Sequence, residues 1–346
     1  MLKNTNIATH QLIAEILNFK NKDNTLSERL QTSTIDWENL VKIASKHLVL
    51  TTVYCRLKQK NLLHHLPKDL LKYLEELTSI NRNRNKKLIE EAQTLVETLE
   101  KQKIEYVFIK GMALLLGGYY NDIGERMIGD FDILVTEDDL ENLFAILKKE
   151  GYNKLVSFNY ERSNFRHLPR QINEHKLAAI ELHRHILNPS HRDLISIKDV
   201  FKNKRIIDNI AIPNENHLNQ INILTTALND NSYFYNTINL KNSYDSLVLE
   251  LEKYTESTAE FSNLKYVSHY LNLNNVWFSQ FRPAHISLIN QIKKKNYLQK
   301  TRHESLGRLI NVIKFISINT THRLNLVVKN KSYRIHLIKS IILRKS

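Results

Sequence analysis

The stretch Arg126-Met127-Ile128-Gly129-Asp130-Phe131-Asp132-Ile133-Leu134-Val135 decides the fold of this chain. Two aspartates, one residue apart, interrupt an apolar run of period two. Residues i and i+2 of a strand share a face, so Asp130 and Asp132 project side by side while Phe131, Ile133 and Val135 turn toward a core. Adjacent carboxylates repel each other, and partial burial makes this costly unless a cation neutralises them. A hard divalent ion such as Mg²⁺, shared between carboxylates and substrate phosphates, answers the pattern. Spacing alone equally admits a strand that runs into a loop carrying two solvated acids.

Working outward, Ile104 to Ile109 is short, aromatic and β-branched, as an inner strand should be. It ends at Lys110-Gly111, where glycine permits close approach of backbone N–H groups to a phosphate and a helix start favours anions. Met112 to Leu116 suggests a helix stopped by Gly117-Gly118. After the diacid strand, Thr136 with Asp139 resembles a capping box. The helix it opens buries Leu140, Leu143, Phe144 and Leu147 and ends near Gly151. Strand-like runs follow at Tyr152 to Phe158 and Leu177 to His183, and Ile206 to Ile212 reads as an edge strand or hairpin closed by Pro213.

Within Ala178-Ala179-Ile180-Glu181-Leu182-His183, alternation puts Ala179, Glu181 and His183 on one face. As a neighbouring strand it would bring Glu181 beside Asp130 and Asp132. Three carboxylates can hold two divalent ions about 3.5–4 Å apart, the arrangement of in-line phosphoryl and nucleotidyl transfer. The competing reading of Glu181 is an edge-strand charge facing water. Arg126 suits triphosphate oxygens, or else a salt bridge to Glu125 or Asp122. His183 and His185 are candidate ligands or supporting groups, but a closed zinc site wants four ligands and no thiolates are at hand.

The flanks read as helical. Trp37, Leu40, Val41, Ala44 and Leu48 follow one buried helix face, with Asp36 or Thr34 as its cap. Pro67 fits near the first turn of a helix carrying Leu70, Leu71, Leu74 and Leu77. A long helix with Leu88, Ala92, Leu95, Val96 and Leu99 follows, and polar Asn81 to Lys87 reads as its exposed beginning. From Asn214, an N-cap candidate, helices return. Leu306, Leu309, Ile310, Ile313 and Phe315 have mixed helical spacing, and Leu337, Ile338, Ile341 and Ile342 line one face of a last basic helix. The expected organisation is a helical region over 1–100, an α/β core over 101–213 and a helical region with a basic tail over 214–346. The fold class is α+β: a small mixed sheet with helices, flanked by helical regions on both sides.

Composition narrows the function classes. Hydrophobic residues make up 42% and charged residues 25%, ordinary for a globular protein. The single cysteine, Cys55, excludes a disulfide framework and a cysteine-based zinc site. Met1 to Lys22 lacks a signal-peptide core and no run of eighteen apolar residues exists, so a cytoplasmic protein without a transmembrane segment is expected. The net charge of +14 is unevenly placed. After Pro283, nine lysines and five arginines face a single acid, Glu304, which gives that segment +13. Basic residues interleaved with Ile335, Leu337, Ile338, Ile341 and Ile342 suit an amphipathic helix on anionic membrane, and they suit the phosphate backbone of RNA about as well. A solvated basic face on a core helix is the plainer alternative.

The chain resembles the uncharacterised nucleotidyltransferase family of bacteria, a divergent branch of the DNA polymerase β-like nucleotidyltransferase superfamily. The matching residues are Ile109-Lys110-Gly111-Met112-Ala113-Leu114, Tyr119-Tyr120, Arg126 with Gly129-Asp130-Phe131-Asp132-Ile133-Leu134-Val135, and Ile180-Glu181-Leu182-His183. Trp37, Ala44-Ser45-Lys46-His47 and Asn83 to Leu99 resemble the family's helical lead-in. Leu240 to Leu247, with Asp245, resembles its C-terminal helices more loosely. The resemblance implies a polymerase β-like core and Mg²⁺-dependent transfer of a nucleoside monophosphate from an NTP to a hydroxyl acceptor. It implies two Mg²⁺ ions held by Asp130, Asp132 and Glu181, with Lys110, Gly111 and Arg126 at the nucleotide phosphates. Three departures stand out: Gly111 is followed by Met112 where the superfamily usually has Ser or Gly, the nineteen positions from Gly111 to Asp130 exceed its usual gap, and Glu181 stands where Asp is common, though its longer side chain can still reach a metal. The absent Gly-Ser pair supports an alternative, a binding protein or scaffold (antitoxin-like, for example) that keeps the fold without the chemistry.

Overall fold

The computed structural model describes residues 5–20, 23–32, 34–157, 160, 165–283 and 285–343. Among the described residues five α-helices come first: α1 (Thr5–Leu17), α2 (Asp23–Thr32), α3 (Trp37–Lys46), α4 (Leu50–Gln59) and the long α5 (Lys68–Lys101). The mixed core follows with β1 (Tyr106–Ile109), α6 (Lys110–Leu116), β2 (Asp130–Val135), α7 (Glu137–Lys149), β3 (Lys154–Val156), β4 (Arg170–Ile172) and β5 (Ala179–His183). Then come α8 (Ile197–Lys202) and a hairpin of β6 (Arg205–Ile207) and β7 (Ile210–Ile212). The remaining α-helices are α9 (Glu215–Leu224), which runs on into a π-helical turn at Thr225–Asn229, α10 (Ser232–Tyr235), α11 (Leu240–Val248), α12 (Leu251–Ser257), α13 (Ala259–Asn263), α14 (Lys265–Asn274), α15 (Leu288–Arg302), α16 (Glu304–Lys329) and α17 (Lys331–Leu343).

The five-stranded sheet has the order β1-β2-β5-β4-β3. β1 and β2 are antiparallel, with Ile109 opposite Asp132. β2 and β5 run parallel, with Asp132 opposite Glu181 and Phe131 opposite Ile180. The alternation of both strands therefore works as the sequence demands: Phe131, Ile133, Ile180 and Leu182 are fully buried in the apolar core, and the acids share the other face. That core is contiguous, running from Leu12 of α1 through the sheet to Tyr297 of α15.

Local signals explain most boundaries. The Asp36 side chain accepts from the Asn39 amide at 2.9 Å to start α3, and Asn214 accepts from His217 to start α9. Thr136 caps α7, its hydroxyl also bonding the Asp139 carboxylate at 3.0 Å. Leu48, expected on the buried face of α3, lies beyond the helix end at φ +55° and is exposed. The Tyr152 to Phe158 run shortens to β3, with Phe158 outside the described residues.

The largest departure concerns α5. It is one continuous helix of 34 residues, and its polar stretch is not an exposed beginning. Asn81 and Asn85 are buried. Asn81 Nδ2 donates to the carbonyls of Gly124 (2.8 Å) and Arg126 (3.2 Å), and Asn85 Nδ2 to those of Ile123 (2.5 Å) and Arg126 (2.7 Å). Arg82 grips Asp122 through two bonds, and Arg84 donates to the Ile128 carbonyl. A loop buried without strand partners must find donors for its carbonyls, and this face of α5 supplies them. The stretch thus clamps the segment that delivers Arg126 and Asp130.

Candidate metal and nucleotide site

The parallel register of β2 and β5 builds the centre of the site. Asp132, Glu181 and His183 are all buried, and their ligating atoms lie within 4.8 Å of one another, a group that can hold a metal ion. His183 Nε2 sits 2.7 Å from Asp132 Oδ1, the imidazole N–H donating to the carboxylate, and 3.5 Å from Glu181 Oε2. Its Nδ1 is buried without a hydrogen-bond partner among the described residues. His185, the other candidate, lies apart, 3.9 Å from Glu137.

Two further cations meet the acids. Lys110 Nζ is 2.5 Å from Asp132 Oδ1. Arg170, on β4, reaches Glu181 Oε1 through Nε at 2.9 Å and Asp130 Oδ2 through Nη2 at 2.6 Å. Asp130 is thus joined to Glu181 through one guanidinium. Lys110 holds this place from φ +59°, a left-handed backbone that a non-glycine residue adopts at a cost of about 1–2 kcal/mol. The glycine beside it serves another end: a Cβ on Gly111 would lie 3.1 Å from Ile128 Cδ1 and 3.2 Å from Arg126 Nη2. Gly111 lets the start of α6 press against the Arg126 guanidinium.

Charge states follow from these contacts. Burial pushes the Asp132 carboxyl up, but the Lys110 ammonium and the bond from His183 outweigh it and hold it below the ordinary carboxylate range. Burial likewise acts against the Glu181 anion, yet the neighbouring imidazoles of His183 and His167 bring it down to about 2. Asp130 shifts the other way, raised by burial and then by the Asp132 charge, with Arg170 opposing only in part.

All six residues expected at the site (Lys110, Gly111, Arg126, Asp130, Asp132 and Glu181) line one cavity of about 440 Å³. Arg126, however, is buried and engaged. Its partner is neither Glu125 nor Asp122 but Asp245 of α11, with Nε 3.0 Å from Oδ1 and Nη2 3.0 Å from Oδ2. Tyr120 donates to the same carboxylate at 2.8 Å. Arg126 therefore ties the loop before β2 to α11, and the guanidinium forms wall rather than a loose cationic arm. Sequence reasoning missed three cationic contributors. Arg170 sits in a three-residue strand too short to show a period. Arg166 and Lys241 also face the cavity, from a loop and from α11. Burial lowers the Lys241 ammonium, and the Arg126 charge adds to the effect.

The donor set suits a divalent cation. Asp132 and Glu181 are held ionised, and Asp130 is destabilised by its neighbouring charge, which a cation would relieve. The lining carries five cationic side chains, Lys110, Arg126, Arg166, Arg170 and Lys241, against five acids, Asp130, Asp132, Glu181, Asp230 and Asp245. So balanced a surface offers a polyphosphate little net attraction without a metal. Oxygen donors favour Mg²⁺, while the imidazole of His183 also suits transition ions.

A small mixed sheet with a diacid strand beside an acidic partner strand, set between helices, defines a nucleotidyltransferase-type core. The family described as uncharacterised nucleotidyltransferase matches residues 33–246, well over half of the chain, and the protein belongs to it. No curated protein matches the chain. Among the described residues no helix is long and apolar enough to cross a membrane.

Proposed function

We propose that this protein is a Mg²⁺-dependent nucleotidyltransferase that moves a nucleoside monophosphate from an NTP to a hydroxyl acceptor. The observation that carries the reading is the pairing of Asp132 with Glu181 across parallel strands, both ionised and both on the wall of a cavity shared with Asp130 and Lys110. Family membership supports the same class of chemistry. Asp130, Asp132 and Glu181 would hold the ions, with His183 orienting Asp132 through its N–H. Bound Mg²⁺ supplies charge neutralisation for the triphosphate and a more acidic attacking hydroxyl. Lys110 and Arg170 neutralise the acids through direct contacts, and on nucleotide binding they turn to phosphate oxygens. Lys241 adds positive charge from the opposite wall, and Arg126 with Gly111 keeps that wall in place. The acceptor oxygen bonds to the α-phosphorus, the α–β phosphoanhydride breaks, and pyrophosphate leaves with the bonding pair. The hydroxyl proton passes to a carboxylate of the cluster.

Changing both Asp130 and Asp132 to Ala is expected to abolish Mg²⁺-dependent pyrophosphate release; undiminished turnover in the double variant would remove the mechanism. A second reading, a binding protein that keeps the fold without the chemistry, draws on two observations. Met112 is buried where a phosphate-binding serine would stand, and Lys110, Arg170 and His183 already satisfy the acids. Calorimetry with each Mg²⁺-NTP separates the two, since that reading expects no heat and no thermal shift.

A further inference from the structure

Over its first three turns, Glu304 to Lys314, α16 packs with its amphipathicity inverted. The face turned to the body is polar: Glu304 meets Lys46 at 3.3 Å, Asn311 meets Lys300 at 3.3 Å, and Lys314 donates to the Phe234 carbonyl at 2.8 Å. Gly307, on the same face, lets the helix cross α15 so closely that a Cβ there would lie 2.9 Å from the Lys300 carbonyl oxygen. These positions, spaced three, four and three apart, make one side of the helix. The opposite side carries Leu306, Leu309, Ile313, Ile316, Leu324 and Val327, and every one of them is exposed. Leu309, Ile313 and Ile316 each keep nearly three-fifths of their surface in water. At 1.5 Å per residue the helix is about 39 Å long. The stripe from Leu306 to Val327 covers about 33 Å of it, and an exposed apolar stripe of that length marks an interaction site.

Charge selects the occupant. The stripe belongs to the segment after Pro283, with its fourteen basic residues and one acid, while the rest of the chain is nearly neutral. A second copy would bring an equally positive surface against this one, and repulsion opposes that pairing. RNA would use the positive charge, but sequence-tolerant binding to single strands relies on aromatic platforms; of the exposed large apolar side chains of α16 only Phe315 is aromatic. A bilayer with anionic headgroups uses both features, since aliphatic side chains enter the headgroup–acyl boundary and exposed basic groups of the same helix, Arg308 and Arg323, meet lipid phosphates. We propose that the outward face of α16 is a docking surface for an anionic lipid bilayer, the helix lying in the plane of the interface rather than spanning it. This proposal stands whether or not the cavity transfers nucleotides.

The test is co-sedimentation of the full-length protein with phosphatidylglycerol-rich vesicles and with vesicles of phosphatidylcholine alone. Binding is expected to be at least about tenfold stronger to the anionic vesicles, and to fall by about tenfold or more in the triple variant Leu309→Ser, Ile313→Ser, Ile316→Ser. These side chains face solvent, so the variant should keep the wild-type melting temperature. Arg308→Glu with Arg323→Glu, which spares the stripe, should weaken binding to the anionic vesicles too. Four results would overturn the proposal. The wild type could stay in the supernatant with both vesicle types. The triple variant could sediment like the wild type. The protein could form a dimer that the triple variant dissolves, without binding vesicles, or it could bind RNA and not vesicles.

Discussion

Asp245→Ala is the sharpest perturbation of the scaffold around the site. Asp245 is buried, accepts bonds from the Arg126 guanidinium at 3.0, 3.0 and 3.3 Å, and takes another from Tyr120 at 2.8 Å. Truncation leaves the guanidinium buried without its counter-charge and the phenol without its acceptor. Breaking a buried pair by removing one partner costs about 3–5 kcal/mol, and the stranded phenol adds about 1 kcal/mol. The assay is urea unfolding of the wild type and the variant, read by circular dichroism. Replacing both partners, Arg126→Met with Asp245→Leu, removes the two charges together and should recover most of the loss. A fall of less than about 1 kcal/mol in Asp245→Ala, or a double variant worse than the single one, would refute the claim that this pair joins α11 to the loop before β2.

Other expectations concern the loop clamp and the acids. Asn81→Ala and Asn85→Ala should each cost about 1–3 kcal/mol in urea unfolding, because buried carbonyls lose their donors, whereas Lys87→Ala on the exposed side of the same helix should stay within about 0.5 kcal/mol. Equal effects at all three positions would contradict the clamp. Glu181, with its pKa held near 2, gives up stability as pH falls from 4.5 toward that value. A folded pKa below the unfolded one means the unfolded chain takes up more protons in this window, so the contribution is whole above 4.5 and disappears below about 2. In Glu181→Gln the urea midpoint should therefore change less between those pH values than in the wild type, and parallel curves would contradict this.

How far the sequence carried the account depended on whether a feature is periodic and local. The diacid strand, the Glu181 strand and the caps at Asp36, Thr136 and Asn214 were legible, because period two and N-cap chemistry act within a few residues. The same alternation that buries Ile180 and Leu182 put Glu181 and His183 on the face of Asp132, and the parallel register then brought them together. Features set by tertiary contact were not legible. Asn81 and Asn85 look like an exposed helix start in sequence, yet they serve carbonyls about forty residues away. Arg126 invites assignment to phosphate until Asp245, 119 positions on, claims it. Arg170 lies on a three-residue strand, and Lys110 has a left-handed backbone that no residue pattern announces. The basic tail was visible as composition, but the outward apolar face of α16 needed the packing of Gly307 and Lys314 to reveal which side is covered. In the last helix, α17, the side chains of Ile341 and Ile342 fall outside the described residues.

The central claim is that Asp132 and Glu181, with Asp130 beside them, form a divalent-cation site, and anomalous diffraction from crystals soaked in Mn²⁺ with a non-hydrolysable NTP addresses it directly. The account predicts a Mn²⁺ peak between the carboxylates of Asp132 and Glu181, with Lys110 and Arg170 turned away from them. No peak there, with Lys110 still on Asp132 and Arg170 still bridging Asp130 and Glu181, would contradict it.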